Sequence, residues 1–203
     1  MKSKIFWLDT ETTGLDPREA SIIQLAGLVE VDGKLRDKVN VFMRPFEGSK
    51  IAMEALEVNR RSLPEITRFP EIQTGMRKLK AVLGKYVDKY DREDKFVPAG
   101  YNVGFDVGFL RKYFERQEDP YFGSYFFTAN LDVLAYVAWE VAQNGLRVAN
   151  HKLETVCGHF GIKIRSHDAM GDITSTRKLF YKLNGFKQES LFSSLAQEID
   201  EDE

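Results

Sequence analysis

Two carboxylates two positions apart, Asp9 and Glu11, close an unbroken apolar run, Ile5-Phe6-Trp7-Leu8. Such a run reads as a buried strand whose charged end lies where the core opens to solvent. Side chains alternate along a strand, so Asp9 and Glu11 project to one face and Thr10 to the other, with the two acids about 6.5–7 Å apart. Like charges at that spacing repel, and a hard divalent cation with oxygen ligands, Mg²⁺ or Mn²⁺, would relieve the repulsion. A strand end with both acids in water reads equally well from spacing alone. Asp106 follows a short apolar segment at the entry to a predicted helix, where α/β folds present ligand-binding groups. It suits a third metal ligand or a helix cap. Late in the chain, Ser166-His167-Asp168-Ala169-Met170-Gly171-Asp172 puts a histidine five positions before an aspartate. If His167 sits in a loop and Asp172 in the first turns of a helix, both can face one pocket. An imidazole there is suited to accept a proton near neutral pH; a surface-loop histidine is the plainer alternative. His151 and His159 have no comparable acidic surroundings.

The elements that must hold these groups are legible from pattern. Ile22–Val31 reads as a second long strand, Asp32-Gly33 as a hairpin turn, and Lys38–Met43 as a third strand stopped by Pro45. Together with the first, these strands predict an antiparallel meander. Residues 51–59 have helical composition, and Pro64 and Pro70 interrupt the stretch beyond them. Ile72, Met76, Leu79, Leu83, Tyr86 and Tyr90 recur at steps of mostly three and four, predicting an amphipathic helix on one sheet face. A strand over Phe96–Asn102 leads into a helix over Phe105–Phe114, and a strand over Phe126–Asp132 into a helix over Val133–Gln143. Further helices are expected over Leu153–Phe160 and Asp172–Leu183. Strands in a meander, then strands alternating with helices, give an α/β fold: a mixed sheet with helices on it.

A chain of 203 residues, 43% hydrophobic and 30% charged, can bury one core and is short for two domains. The single cysteine, Cys157, rules out an internal disulfide and reads as packing, which fits a reducing, cytoplasmic compartment. Asp9 interrupts the N-terminal apolar run too early for a signal peptide, and no apolar stretch approaches the length of a membrane helix. A formal net charge of −2 does not announce a nucleic-acid binder, although bound metals and a small basic rim can grip phosphates without a basic average.

Three segments together carry a resemblance. Asp9-Thr10-Glu11-Thr12-Thr13-Gly14-Leu15, then Asn102-Val103-Gly104-Phe105-Asp106-Val107-Gly108-Phe109-Leu110, then His167-Asp168-Ala169-Met170-Gly171-Asp172 resemble the three motifs of the DEDD 3′→5′ exonucleases. The histidine five before the last aspartate resembles the histidine-bearing subclass. In pattern the chain is similar to the proofreading exonuclease subunits of bacterial DNA polymerase III, ribonuclease T and oligoribonucleases. The match runs from residue 4 to residue 183, which delimits an expected exonuclease domain over 1–183 and a tail over 184–203. The resemblance implies an RNase H-like fold, a five-stranded mixed sheet flanked by helices. Two departures stand out: Tyr101 where the family often has His, and Asp132-Val133 where it often has Asp-Thr. Neither position carries metal, and Asp132 reads as structural.

The resemblance further implies that Asp9, Glu11, Asp106 and Asp172 hold two Mg²⁺ or Mn²⁺ ions and that His167 is the general base on an attacking water, releasing nucleoside 5′-monophosphates from a 3′ end. It implies a terminal-nucleotide pocket at Thr12, Leu15, Val58, Asn59, Asn102 and Phe105; plain core packing is the other reading of Leu15, Val58 and Phe105. DNA, single-stranded by preference, is the expected partner, with RNA ends as the alternative and a non-catalytic subunit of a replication complex as a second. Arg60, Arg61, Lys163 and Arg165 suit phosphate contacts or ordinary surface charge. In the tail, Gln188, Leu191 and Phe192 resemble the short peptide by which replication proteins dock on a sliding clamp or polymerase subunit. Leu191, Phe192, Leu195 and Ile199 also recur as an amphipathic helix would.

Overall fold

The computed structural model describes residues 3–164 and 168–185. β1 (Lys4–Thr12) is the middle strand of the sheet, and its apolar run is buried on both faces: Phe6, Trp7 and Leu8 are fully inaccessible. β2 (Ile22–Val31) pairs antiparallel with it, and β3 (Lys34–Phe42) antiparallel with β2. Asp32 and Gly33 both take positive φ, 54° and 77°, the backbone a two-residue hairpin turn requires, so β3 begins at once after the turn and not at Lys38. α1 (Met53–Val58), α2 (Leu63–Ile66) and α3 (Ile72–Leu83) come next. β4 (Val97–Gly100) pairs parallel with β1 and leads into α4 (Val103–Arg116). After α5 (Phe122–Tyr125), β5 (Leu131–Asp132) pairs parallel with β4, completing the order β3-β2-β1-β4-β5. α6 (Val133–Gln143), α7 (Leu153–His159) and α8 (Ala169–Leu183) close the described chain. The result is a five-stranded mixed sheet with helices on both faces, the RNase H-like fold that the family resemblance implied.

Alternation along β1 divides the core. Phe6 and Leu8 pack with α3 and α4, through residues such as Leu79, Val107 and Leu110. Trp7 packs on the other face with α6, α7 and α8, through Val137, Cys157 and Ile173. No helix among the described residues is long and apolar enough to cross a membrane.

Some expected elements differ. The helix anticipated through Tyr86 and Tyr90 ends at Leu83, with Gly84 as its cap. Beyond it, the Asp88, Asp91 and Asp94 carboxylates accept from the backbone N–H groups of Tyr90, Glu93 and Asp88, and such local bonds compete with helix. Of the strand expected over 126–132, only a bridge from Phe126 to Phe96 and the two residues of β5 exist; β5 ends at Asp132, which caps α6 by accepting from Leu134 N at 3.0 Å. α2, opened by a capping box between Ser62 and Glu65, has no periodicity long enough to announce it, and α5 likewise.

One buried polar network ties α8 to the sheet. Glu30 on β2 accepts from Trp7 Nε1 at 3.1 Å, from Arg177 Nε at 2.5 Å and from the Tyr181 hydroxyl. Glu30 and Arg177 are each only 2% exposed, and Arg177 also donates to Gly33 O. Removing one partner would strand a buried charge. Glu30→Ala is therefore expected to cost about 3–5 kcal/mol in urea unfolding, whereas replacing both charges together, Glu30→Leu with Arg177→Met, should cost much less. Equal losses for the single and double variants would show that the charge pairing is idle.

Candidate active site

The odd-numbered residues of β1 face α8, and this brings Asp9 and Glu11 to Asp172 in the first turn of that helix. Oxygens of the three carboxylates lie within 4.8 Å of one another. Asp106 enters from the opposite side, in the first turn of α4, and is 4% exposed. Thr10 points to that side, as alternation requires, and its N–H (2.9 Å) and hydroxyl (2.7 Å) both donate to Asp106 Oδ1. The four acids named from sequence thus converge on the end of β1 from three elements, three in one tight group and Asp106 held beside it by Thr10.

Their fields are those of crowded, desolvated anions. Burial, then the charges of Asp106, Glu11, Asp172 and Asp168, hold the Asp9 carboxyl well above the usual carboxylate range. Burial, with Asp172 and Asp168, lifts Glu11 to about 7 against a small opposing field from Arg61. Burial also raises Asp106 to about 7, although the Thr10 bonds pull the other way. A converging set of carboxylate oxygens under mutual repulsion fits a hard divalent cation.

Asp168 and Gln24 belong to this site and had no role in the sequence reading. Asp168 caps α8 by accepting from Gly171 N at 3.1 Å, and its other oxygen accepts from Gln24 Nε2 at 2.9 Å. Gln24, 2% exposed, also donates to Asn40 Oδ1. The capping position just before the last predicted helix was the available signal for Asp168; nothing local marks Gln24.

Of the expected pocket residues, Thr12 and Asn59 are buried together, Asn59 Nδ2 donating to Thr12 O at 2.8 Å. Leu15 is 85% and Val58 54% exposed, so core packing does not account for either. Phe105 is half-buried against Phe109, ring centroids 4.8 Å apart. Asn102 takes the left-handed conformation, φ 60°, and its N–H donates to Asp132 Oδ1, which makes Asp132 structural as expected. Tyr101 donates its hydroxyl to His151 O. Arg61 is occupied: it pairs with Glu65 and lies over the Phe42 and Phe69 rings. Arg60 and Lys163 are exposed. His167, Arg165 and the tail residues Gln188, Leu191 and Phe192 lie outside the described residues.

The exonuclease family model RNase_T matches residues 6–180. Among curated relatives, the PolC-type DNA polymerase III of Latilactobacillus sakei is 30% identical over 177 residues, and that of Thermotoga petrophila 27% over 182; each match covers 86% of this chain. The chain spans only 11% of the length of these relatives. Among solved structures, Escherichia coli exonuclease I in complex with a dT13 oligonucleotide superposes with a TM-score of 0.73 at 20% identity, covering 95% of this chain and 43% of that one. Exonuclease I from Methylocaldum szegediense gives 0.69 at 19%, covering 96% and 43%.

The raised acids make stability depend on pH in a definite direction. A carboxyl whose pKa is higher folded than unfolded contributes stability at low pH that is lost as pH rises through its folded value. For Glu11 and Asp106 that loss falls between their ordinary range and about 7. In EDTA, the Tm is expected to decline from pH 5 to pH 8. Added Mn²⁺ should reverse the decline and raise the Tm more at pH 8 than at pH 5, because protons compete for the ligands. A Tm that rises with pH in EDTA would contradict the assignment.

Proposed function

The chain belongs to the exonuclease family, and from that premise we propose that it hydrolyses the 3′-terminal phosphodiester bond of DNA, releasing nucleoside 5′-monophosphates. The observation that carries the reading is the convergence of Asp9, Glu11 and Asp172, with Asp106 beside them. In this reading the four carboxylates hold two Mg²⁺ or Mn²⁺ ions. When bound, such ions acidify a water and neutralise charge on the leaving oxygen. Thr10 fixes Asp106 through two hydrogen bonds, so this ligand is oriented before substrate arrives. His167 accepts the proton of the attacking water as its oxygen bonds to phosphorus and the bond to the 3′ oxygen breaks. Thr12, Asn59 and Asn102 supply polar and backbone groups for the terminal sugar, while Leu15, Val58 and Phe105 offer apolar surface to the base.

DNA is favoured because exonuclease I was solved with dT13 and the curated relatives are DNA polymerases. Residues 1–183 are the exonuclease unit in this proposal, in a cytoplasmic setting. Residues 184–203 are a docking tail in which Gln188, Leu191 and Phe192 engage a sliding clamp or polymerase subunit.

Single-stranded DNA and RNA of matched sequence, labelled at the 5′ end, decide the matter. With Mg²⁺ or Mn²⁺ the DNA should shorten from its 3′ end to a ladder while mononucleotides accumulate. Asp9→Asn and His167→Ala should each slow this by about 10²–10⁴-fold. Faster loss of RNA would reassign the substrate, and no mononucleotide from either strand would overturn the proposal.

A further inference from the structure

β2 presents its even-numbered residues to α8: Ala26 and Leu28 pack in the core on that face, and Glu30 takes the Arg177 guanidinium there. Alternation puts Gln24 on the same face. In the register of the sheet Gln24 stands opposite Glu11, and Ala26 opposite Asp9. Directly opposed residues on paired strands project to one side, so Gln24 lies next to a carboxylate of the cluster while carrying no charge itself.

A glutamine that is 2% exposed needs partners for its donors. Nε2 has two: Asp168 Oδ1 at 2.9 Å and Asn40 Oδ1 at 3.0 Å. One acceptor stands on the edge strand β3 and the other caps α8, so the amide spans from sheet to helix. Asp168 passes the constraint on. Its Oδ2 accepts from Gly171 N at 3.1 Å, and its carbonyl accepts the N–H of Asp172 at 2.9 Å, the opening bond of the helix. The turn that carries Asp172 is thereby tied to the strand residue opposite Glu11. α8 has polar fastenings to β2 on either side of Asp172, Gln24–Asp168 before it and Glu30–Arg177 after it. Two such points restrain both sliding and rotation of the helix, where one would leave rotation free.

The chemistry of the tether suits its neighbourhood. A lysine or arginine in place of Gln24 would also hold Asp168, but its charge would oppose a cation at Asp9, Glu11 and Asp172. An apolar residue would leave Asp168 one bond poorer beside other acids. A neutral amide donor fixes the carboxylate and leaves the negative field intact.

We propose that Gln24 is a positioning residue: by joining Asn40 on β3 to the cap of α8, it sets the separation of Glu11 and Asp172, and with it the affinity of the carboxylate cluster for a divalent cation. The inference rests on the metal-binding part of the exonuclease reading. Groups that orient metal-binding side chains are worth about 10–100-fold in affinity.

Calorimetric titration of Mn²⁺ into metal-free protein reads this without turnover. Gln24→Met keeps an unbranched side chain of similar length and removes both donors. Its Kd for Mn²⁺ should rise about 10–100-fold, with urea unfolding in EDTA confirming that the variant is folded. Asn40 is exposed and ligates nothing in this reading. Asn40→Ala frees the other end of the amide and should raise the Kd about fivefold, the worth of one ordinary hydrogen bond. The double variant should bind no more weakly than Gln24→Met alone, because one connection cannot be cut twice. A folded Gln24→Met protein with the wild-type Kd, or losses that multiply in the double variant, overturns the positioning role. Asn40→Ala with the wild-type Kd overturns it too, which keeps the test decisive should Gln24→Met fail to fold. Wild-type protein that binds no Mn²⁺ would instead overturn the metal-binding reading, and the role of Gln24 with it.

Discussion

Mutual repulsion among carboxylates at the end of one buried strand is the constraint on which the rest of this structure depends. Asp9, Glu11 and Asp172 are held close enough to share a cation, with Asp106 beside them and Asp168 adding its field. Nothing in the local attraction of these groups would assemble them, so the assembly must be imposed by packing elsewhere. β1 supplies it by being central: Trp7 locks one face against α8 and α6, while Phe6 and Leu8 lock the other against α3 and α4. The Glu30–Arg177–Tyr181–Trp7 network joins β2 to β1 and α8, the strand and the helix that carry Asp9 and Asp172. A fully paired buried network is stiff and tolerates only one register, which suits an element that must present a carboxylate to others of its own sign.

What was legible in the sequence is what depends on local periodicity. The apolar run ending in Asp9 and Glu11 announced a buried strand, which the sheet order makes the central one, and alternation alone separated Thr10 from the two acids. The start of α4 near Asp106 and the hairpin at Asp32-Gly33 were likewise written in neighbouring residues. The partners of those residues were not. Thr10 binds Asp106 across 96 positions, Glu30 binds Arg177 across 147, and Gln24 binds Asp168 across 144; no short-range pattern encodes such pairings. The overextended helix at Tyr86 and Tyr90 failed for a related reason: apolar spacing continued, but aspartates offered the backbone better local partners. The gathering of acids from three distant segments was implied by family resemblance before any geometry supported it.

The exposed residues around the cluster read differently once the core is known. Leu15 and Val58 are apolar side chains left in solvent next to buried, hydrogen-bonded neighbours, Thr12 and Asn59. Single exposed apolar residues need no explanation in general. Here, however, the loop bearing Leu15 is held on several sides: Thr13 bonds Ser21 and Lys50, and Arg116 clasps Pro17 and Arg18. In the proposed exonuclease, a leucine held in water by a loop fixed this firmly would be the surface on which the terminal base packs.

The same electrostatics link chemistry to substrate capture. A phosphodiester approaching four carboxylates without cations meets charge of its own sign, and a chain with net charge −2 offers no general attraction to offset it. Glu11 and Asp106, both near 7, take up part of this strain by holding protons when no cation is present. A divalent cation binding there would have to displace those protons, and would convert a self-repelling, partly protonated cluster into one that attracts phosphate. In the proposed exonuclease, cation binding would then be a condition for docking the strand as well as for cutting it.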